Sequence, residues 1–144
     1  MNLHSQLAHQ VINEVQKAVI GKKDCIEKIM MAILSSGHIL LEDIPGVGKT
    51  TMALAFSKAL HLKEKRLTFT PDVLPADLTG FTMYRKETNK FYYQPGALMC
   101  NLFLGDEINR TSPKTQSALL EVMEEGQVSV DGVTHALPKP FIVI

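Results

Sequence analysis

The sequence has little that would tie it to a membrane, a disulfide framework or a polyanion. Its most apolar region, IMMAILSSGHILLE, is interrupted by Ser35, Ser36, Gly37 and His38, well short of the roughly 18 unbroken apolar residues that a membrane helix needs. The first residues show no basic stretch followed by an apolar one, so no signal peptide is read there and the expected location is cytoplasmic. Only two cysteines occur, Cys25 and Cys100, far apart and without a CxxC pair. Neither a disulfide framework nor a zinc site is expected, and a reducing compartment fits. The five histidines are scattered, so no His-based metal site is expected. Fifteen Lys+Arg balance fifteen Asp+Glu, which argues against a chain whose main task is gripping nucleic acid by bulk charge. Repeats and low-complexity tracts are absent, and 144 residues suffice for one domain with a single core.

What is there is an alternation of helical and strand patterns. Leu3, Leu7, Val11, Ile12, Val15 and Val19 recur at helical spacing, and Gly21 closes that helix. Ile26, Ile29, Met30, Ile33 and Leu34 form a second helical run that stops at Ser36-Gly37, a helix C-terminal signal. HILLE, from His38, reads as a short buried strand; TTMALAFSKALHL as a helix; RLTF, NLFLGD and the final FIVI as further strands. Pro71 to Gly80 reads as a loop from its Pro, Asp and Gly content. FTMY and FYYQ flank a polar tip from Arg85 to Lys90, and QVSV and VTHAL flank Asp131-Gly132, so both pairs read as hairpins. Between them a helix is expected with Ser112 as N-cap, Pro113 at its first position and Gly126 just past its end. Strands separated by helices imply a largely parallel α/β sheet.

The stretch LEDIPGVGKTT, Leu41 to Thr51, stands between the HILLE strand and the following helix. Strand, glycine loop and helix is the context in which Gly-Lys-Thr cradles phosphate. Gly46 and Gly48 remove side chains from the turn, Lys49 would reach the β- and γ-phosphates, and the Thr50 hydroxyl would bind Mg²⁺. One position departs from the usual pattern: counting back from Gly48, the first glycine is replaced by Asp43. It lies at the strand-to-loop junction, where its carboxylate can accept loop N–H groups as an Asx-type brace, so it is expected to be tolerated. LFLGDE supplies the other half, since a buried strand that ends in two carboxylates delivers them to the C-terminal edge of a parallel sheet. Asp106 would hold Mg²⁺, directly or through water, and Glu107 would polarise an attacking water, which favours hydrolysis over phosphoryl transfer to another acceptor.

The strings LLEDIPGVGKTTMALAFSKAL, FTPDVLPADLTG and QPGALMCNLFLGDEINRTSPKTQSALLEVMEEGQVSVDG resemble the MoxR group of AAA+ ATPases, nearly without gaps from about Val19 to Ile144. The resemblance implies a three-layer P-loop NTPase fold, a parallel sheet flanked by helices with inserted β-hairpins. It implies ATP with Mg²⁺, with Pro45, Gly46, Val47, Gly48, Lys49, Thr50 and Thr51 forming the phosphate loop and Asp106 and Glu107 in the Walker B role. Val19, Ile20 and Gly21, which otherwise read as an ordinary helix end, would lie near adenine. Ring oligomers, protein clients remodelled in a chaperone-like manner, and partners with a von Willebrand A domain are implied as well. Arg85, Lys86 and Lys90, beside Tyr84, Phe91 and Tyr92, would face a client or form a solvated hairpin with aromatic cross-strand pairs. Arg110 would either engage a neighbouring subunit or cap the following loop.

By the same resemblance the chain corresponds to the front part of such a module, with residues 1–36 as N-terminal helices and 38–144 as the P-loop core through its fourth strand. A fifth strand, helical lid, sensor residues and arginine finger would follow in relatives. Without them ATP is expected to bind but to be hydrolysed poorly, since an arginine finger is worth about 10³–10⁵ in rate in related systems. The family topology puts RLTF, NLFLGD, FIVI and HILLE side by side in that order. HILLE then forms an uncovered apolar edge that invites self-association.

Overall fold

The computed structural model describes residues 2–42 and 48–144. Helix α1, Leu3–Ala18, starts from Asn2, whose side-chain oxygen accepts the His4 and Ser5 N–H groups. Helix α2 spans Lys23–Leu34 and α3 spans Lys49–Ala59. Strand β1 is Glu64–Thr68, followed by a short helix α4, Pro75–Thr79. Strands β2, Gly80–Arg85, and β3, Lys90–Pro95, form the first hairpin, and β4 is Leu102–Asp106. Helix α5, Pro113–Glu125, is capped as its sequence predicts: the Ser112 hydroxyl accepts the Thr115 N–H, and Gly126 ends it in the left-handed region. Strands β5, Gln127–Val130, and β6, Val133–Ala136, form the second hairpin around Asp131 and Gly132, both at positive φ. Strand β7, Ile142–Val143, closes the order.

β1, β4 and β7 form a parallel sheet in the order β1-β4-β7, and the alternation of its side chains builds two cores. Leu102, Leu104, Ile142 and Ile144 pack against Val15, Ile26, Ile29, Met52 and Phe56 of α1, α2 and α3. Phe103 and Val143, one residue out of phase, face the other way, into Phe69, Leu78, Leu98, Leu119, Val122 and Val128. Successive strand residues point to opposite faces, so one apolar strand joins both layers. The result is an α/β fold with a parallel sheet between helices, and the two hairpins belong to the second layer.

Two segments differ from their sequence reading. The stretch from Pro71 to Gly80 contains α4, because the residues that suggest a loop are here helix-start chemistry. Pro75 sits at the first helical position, and Asp77 accepts the Leu74 N–H at 2.8 Å, the proline and carboxylate placements that favour an N-terminus. HILLE, expected as a buried strand, is neither a regular strand nor buried, with Leu40 74% exposed. It does lie beside β7, as expected, through Ile39 N–H to Val143 O at 2.9 Å. The next ladder bond is taken by a side chain: Val143 N–H donates to His38 Nδ1 at 3.0 Å. That leaves Nε2 to carry the ring proton and donate to Met123 O at 3.1 Å.

Burial separates the two thiols. Cys100 lies wholly inside the second core, and loss of solvation pushes its thiol up to about 11, whereas Cys25 is half-buried. The thiolate is the reactive form, so an aromatic disulfide reagent at pH 8 is expected to titrate one thiol in the folded chain, Cys25, and both in denaturant. Rapid reaction of two thiols without denaturant would contradict the packing of Cys100.

Candidate functional site

The sheet and α3 meet at a cleft of about 870 Å³. Gly48, Lys49, Thr50 and Thr51 contribute one wall, Gly105, Asp106 and Glu107 another, with Arg66, Thr68 and Asn109 beside them. Gly48 has φ +83, and a Cβ there would find nothing within 4 Å; the glycine is required by conformation, and the space beside it is open. It is the N-cap of α3 and supplies no side-chain cap, so the first N–H groups of the helix are left to backbone or ligand partners. Lys49, Thr50 and Thr51 form the first turn. Pro45, Gly46 and Val47 of the expected phosphate loop, with Asp43, lie outside the described residues.

The opposite wall is built by β4. Gly105 is needed because a Cβ would sit 2.9 Å from the Phe69 ring of the second core. Asp106 ends the strand, and the ladder continues past it through Phe69 N–H to Asp106 O at 2.8 Å. Its side chain, 21% exposed, accepts the Arg66 Nε–H on Oδ2 at 2.7 Å, and Arg66 Nη2 lies in ion-pair contact with the same oxygen at 2.7 Å. Glu107 turns sharply out of the strand in the left-handed region, φ 58 and ψ 47, an uncommon conformation for a non-glycine residue that costs about 1–3 kcal/mol and clusters at functional sites. A single 3-10 turn, Ile108–Arg110, follows, and Arg110 Nη1 donates to Glu107 Oε2 at 3.1 Å. Arg110 thus makes its side-chain bond within its own turn.

The donor set fits a magnesium-bound nucleoside triphosphate. A helix N-terminus that begins at a glycine and a lysine suit phosphate oxygens, while a threonine hydroxyl and a carboxylate suit the hard cation. Val19, Ile20 and Gly21 lie outside the cleft wall: Val19 is buried among the helices, Ile20 is 89% exposed and Gly21 turns the chain at φ +79. The hairpin residues are also remote from the wall. Tyr84 and Phe91 pair across the strands with ring centroids 5.2 Å apart, and the Arg85 guanidinium lies 4.8 Å from the Tyr92 ring centre. Sequence reasoning missed Arg66. Its only signal was a cation inside a strand pattern, and its meaning depends on the register of strands about 40 residues apart.

The family model described as "ATPase family associated with various cellular activities (AAA)" matches residues 38–144. The chain belongs to that AAA ATPase family. It is similar to chaperone MoxR1 of Mycobacterium tuberculosis, 41% identical over 135 residues, covering 94% of this chain and 36% of that protein. Protein MoxR of Methylorubrum extorquens is 34% identical over 130 residues, 87% of this chain and 38% of that protein. YeaC of Bacillus subtilis, itself uncharacterized, is 50% identical over 143 residues, 99% of this chain and 44% of that protein. A crystal structure from Cytophaga hutchinsonii superposes with a TM-score of 0.84 at 41% identity, over 96% of this chain and 42% of that one. The chain thus spans less than half the length of these relatives. Among the described residues no helix is long and apolar enough to cross a membrane.

Proposed function

We propose that the cleft binds Mg²⁺-ATP and that, in the whole protein, its hydrolysis drives chaperone-like remodelling or assembly of partner proteins. The observation that carries this reading is the convergence of Gly48, Lys49 and Thr50 with Asp106 and Glu107 on one cleft. Lys49 would attract the β- and γ-phosphates, Thr50 and Asp106 would hold the metal, and Glu107 would accept a proton from the attacking water. The bound ion would supply charge neutralisation at the phosphate oxygens. Pro45, Gly46, Val47 and Thr51 complete the phosphate loop, and Val19, Ile20 and Gly21 serve the adenine, a role in which the exposed side chain of Ile20 offers an apolar surface. The chaperone part of the proposal is supported by the similarity to MoxR1, itself named a chaperone. Ring assembly, protein clients and von Willebrand A domain partners belong to the same proposal. The exposed Leu40 beside β7 supports self-association along that edge.

A second reading from another class is a nucleotide-gated binding module in which ATP orders the fold and is not turned over. The Arg110 bond to Glu107 Oε2 favours it, because it occupies an oxygen that an attacking water would need. Both readings require nucleotide binding, which titration with a fluorescent ATP analogue in Mg²⁺ measures directly. Lys49→Ala is expected to weaken it roughly 10- to 100-fold, the value of one charge-assisted bond of about 1.5–3 kcal/mol. Unchanged affinity in Lys49→Ala, with the fold intact by circular dichroism, would sink the assignment of the phosphate site.

A further inference from the structure

We propose that Arg66 is a positioning residue for the metal ligand Asp106, an inference that rests on the Mg²⁺-ATP reading above. In the β1–β4 register Arg66 lies opposite Leu104 and Thr68 opposite Asp106. Residues two apart on a strand share a face, so Arg66 and Asp106 project from the same side of adjacent strands, one register step apart. An arginine spans that step, and the strand ladder on both sides holds the ends of the bridge in place.

The form of the contact is what separates this bridge from an ordinary surface ion pair. Both Arg66 donors, Nε and Nη2, converge on the single oxygen Oδ2, and neither goes to Oδ1. Magnesium is usually bound through one or two carboxylates together with waters and phosphates. Its carboxylate ligands are themselves held by outer hydrogen bonds that fix their orientation. Arg66 fills that outer place: it holds the carboxylate through Oδ2, which would leave Oδ1 to the metal or to a water bound to it. The planar guanidinium brings a hydrogen bond and a second charged contact to Oδ2 from one direction, whereas a lysine would deliver a point charge on a flexible stem. The pairs Lys17–Glu14, Lys23–Glu27 and Lys28–Asp24 each lie along one helix, and Arg110–Glu107 lies within one turn. The Arg66–Asp106 bridge instead joins two strands, and it ends on the expected metal ligand.

The test uses the full chain and Mn²⁺ as a spectroscopic stand-in for Mg²⁺. Free Mn²⁺ is followed by electron paramagnetic resonance in the presence of ATP, and a fluorescent ATP analogue is titrated separately in EDTA. Arg66→Gln is expected to weaken Mn²⁺ retention roughly 10- to 100-fold, as for other outer hydrogen bonds to metal ligands, with metal-free nucleotide binding unchanged. Arg66→Lys, which keeps the charge and one donor, is expected to recover part of the loss. A bridge that only stabilised the fold would lower the melting temperature and leave Mn²⁺ affinity untouched. Mn²⁺ retention in folded Arg66→Gln equal to or tighter than in the parent chain overturns the inference. A parent chain that binds no nucleotide in either assay overturns the Mg²⁺-ATP reading, and the inference with it, before any variant is compared.

Discussion

Gly80→Ala is expected to destabilise the fold by roughly 2–6 kcal/mol, combining backbone strain with overpacking. Gly80 joins α4 to β2 at φ 92 and ψ −179, a region essentially closed to residues with a Cβ. Space is closed as well: the added carbon would meet the Gln94 carbonyl oxygen, lie 2.7 Å from Tyr93 Cε2 and lie 2.8 Å from the Gly96 nitrogen. Two of those three atoms are backbone of the paired strand or its end, which cannot turn aside as a flexible side chain can. Gly96 on the other side is equally confined, since its Cβ would collide with the backbone of Leu78 and Gly80. The two glycines let the hairpin base pass close to the end of α4, where Ala97 and Leu98 N–H groups bond Asp77 O and Leu78 O at 2.8 and 3.1 Å. Total stability of about 5–15 kcal/mol leaves little margin for such a loss. Gly126→Ala is the control: φ is +66 but nothing lies within 4 Å of its Cβ, so only about 1 kcal/mol of strain is expected. Urea unfolding of both variants measures the difference, and equal midpoints would contradict the close approach at Gly80.

These contrasts show which parts of the molecule were readable from residue order. The layering was readable, because Leu102-Phe103-Leu104 and Ile142-Val143-Ile144 are continuous apolar runs that only a strand covered on both faces can bury. Helix ends were readable where the cap is local, as at Ser112, Pro113 and Gly126, and so was the Asp131-Gly132 turn. The Gly-Lys-Thr and Asp-Glu pairs were legible as chemistry, and the fold brings them to one cleft. Short-range composition misled at α4, where a proline and a carboxylate serve both loops and helix starts. HILLE has the apolar content of a strand, yet strand geometry needs a ladder on its neighbour, and His38 replaces one of those bonds with its ring. Arg66 was invisible because a bond between residues 40 apart depends on register, a property of two strands together. The Arg110–Glu107 pair spans only three residues, but it depends on the left-handed turn at Glu107, which sequence alone did not announce.

Glu107→Gln, placed in the whole protein, is expected to lower ATP turnover about 10²–10⁴-fold, the usual contribution of a positioned proton acceptor, while nucleotide affinity stays near that of the parent. The substitution is nearly isosteric, so the turn at φ 58 and the surrounding packing persist and the loss reports on proton transfer. Its half-exposed side chain and its bond to Arg110 bear on the same measurement. While Arg110 holds Oε2, that oxygen is less available to water, so turnover through it requires the pair to loosen. Arg110→Ala in the whole protein is therefore expected to leave turnover intact or raise it, if the pair is a local brake. If Arg110 instead serves a neighbouring subunit, its loss lowers turnover and weakens assembly together. The pair of variants separates the two classes of function. Parent turnover that Glu107→Gln removes, with binding retained, identifies a hydrolase; parent binding with no turnover, unchanged by Glu107→Gln, identifies a nucleotide-gated module whose carboxylates serve only to hold the cation.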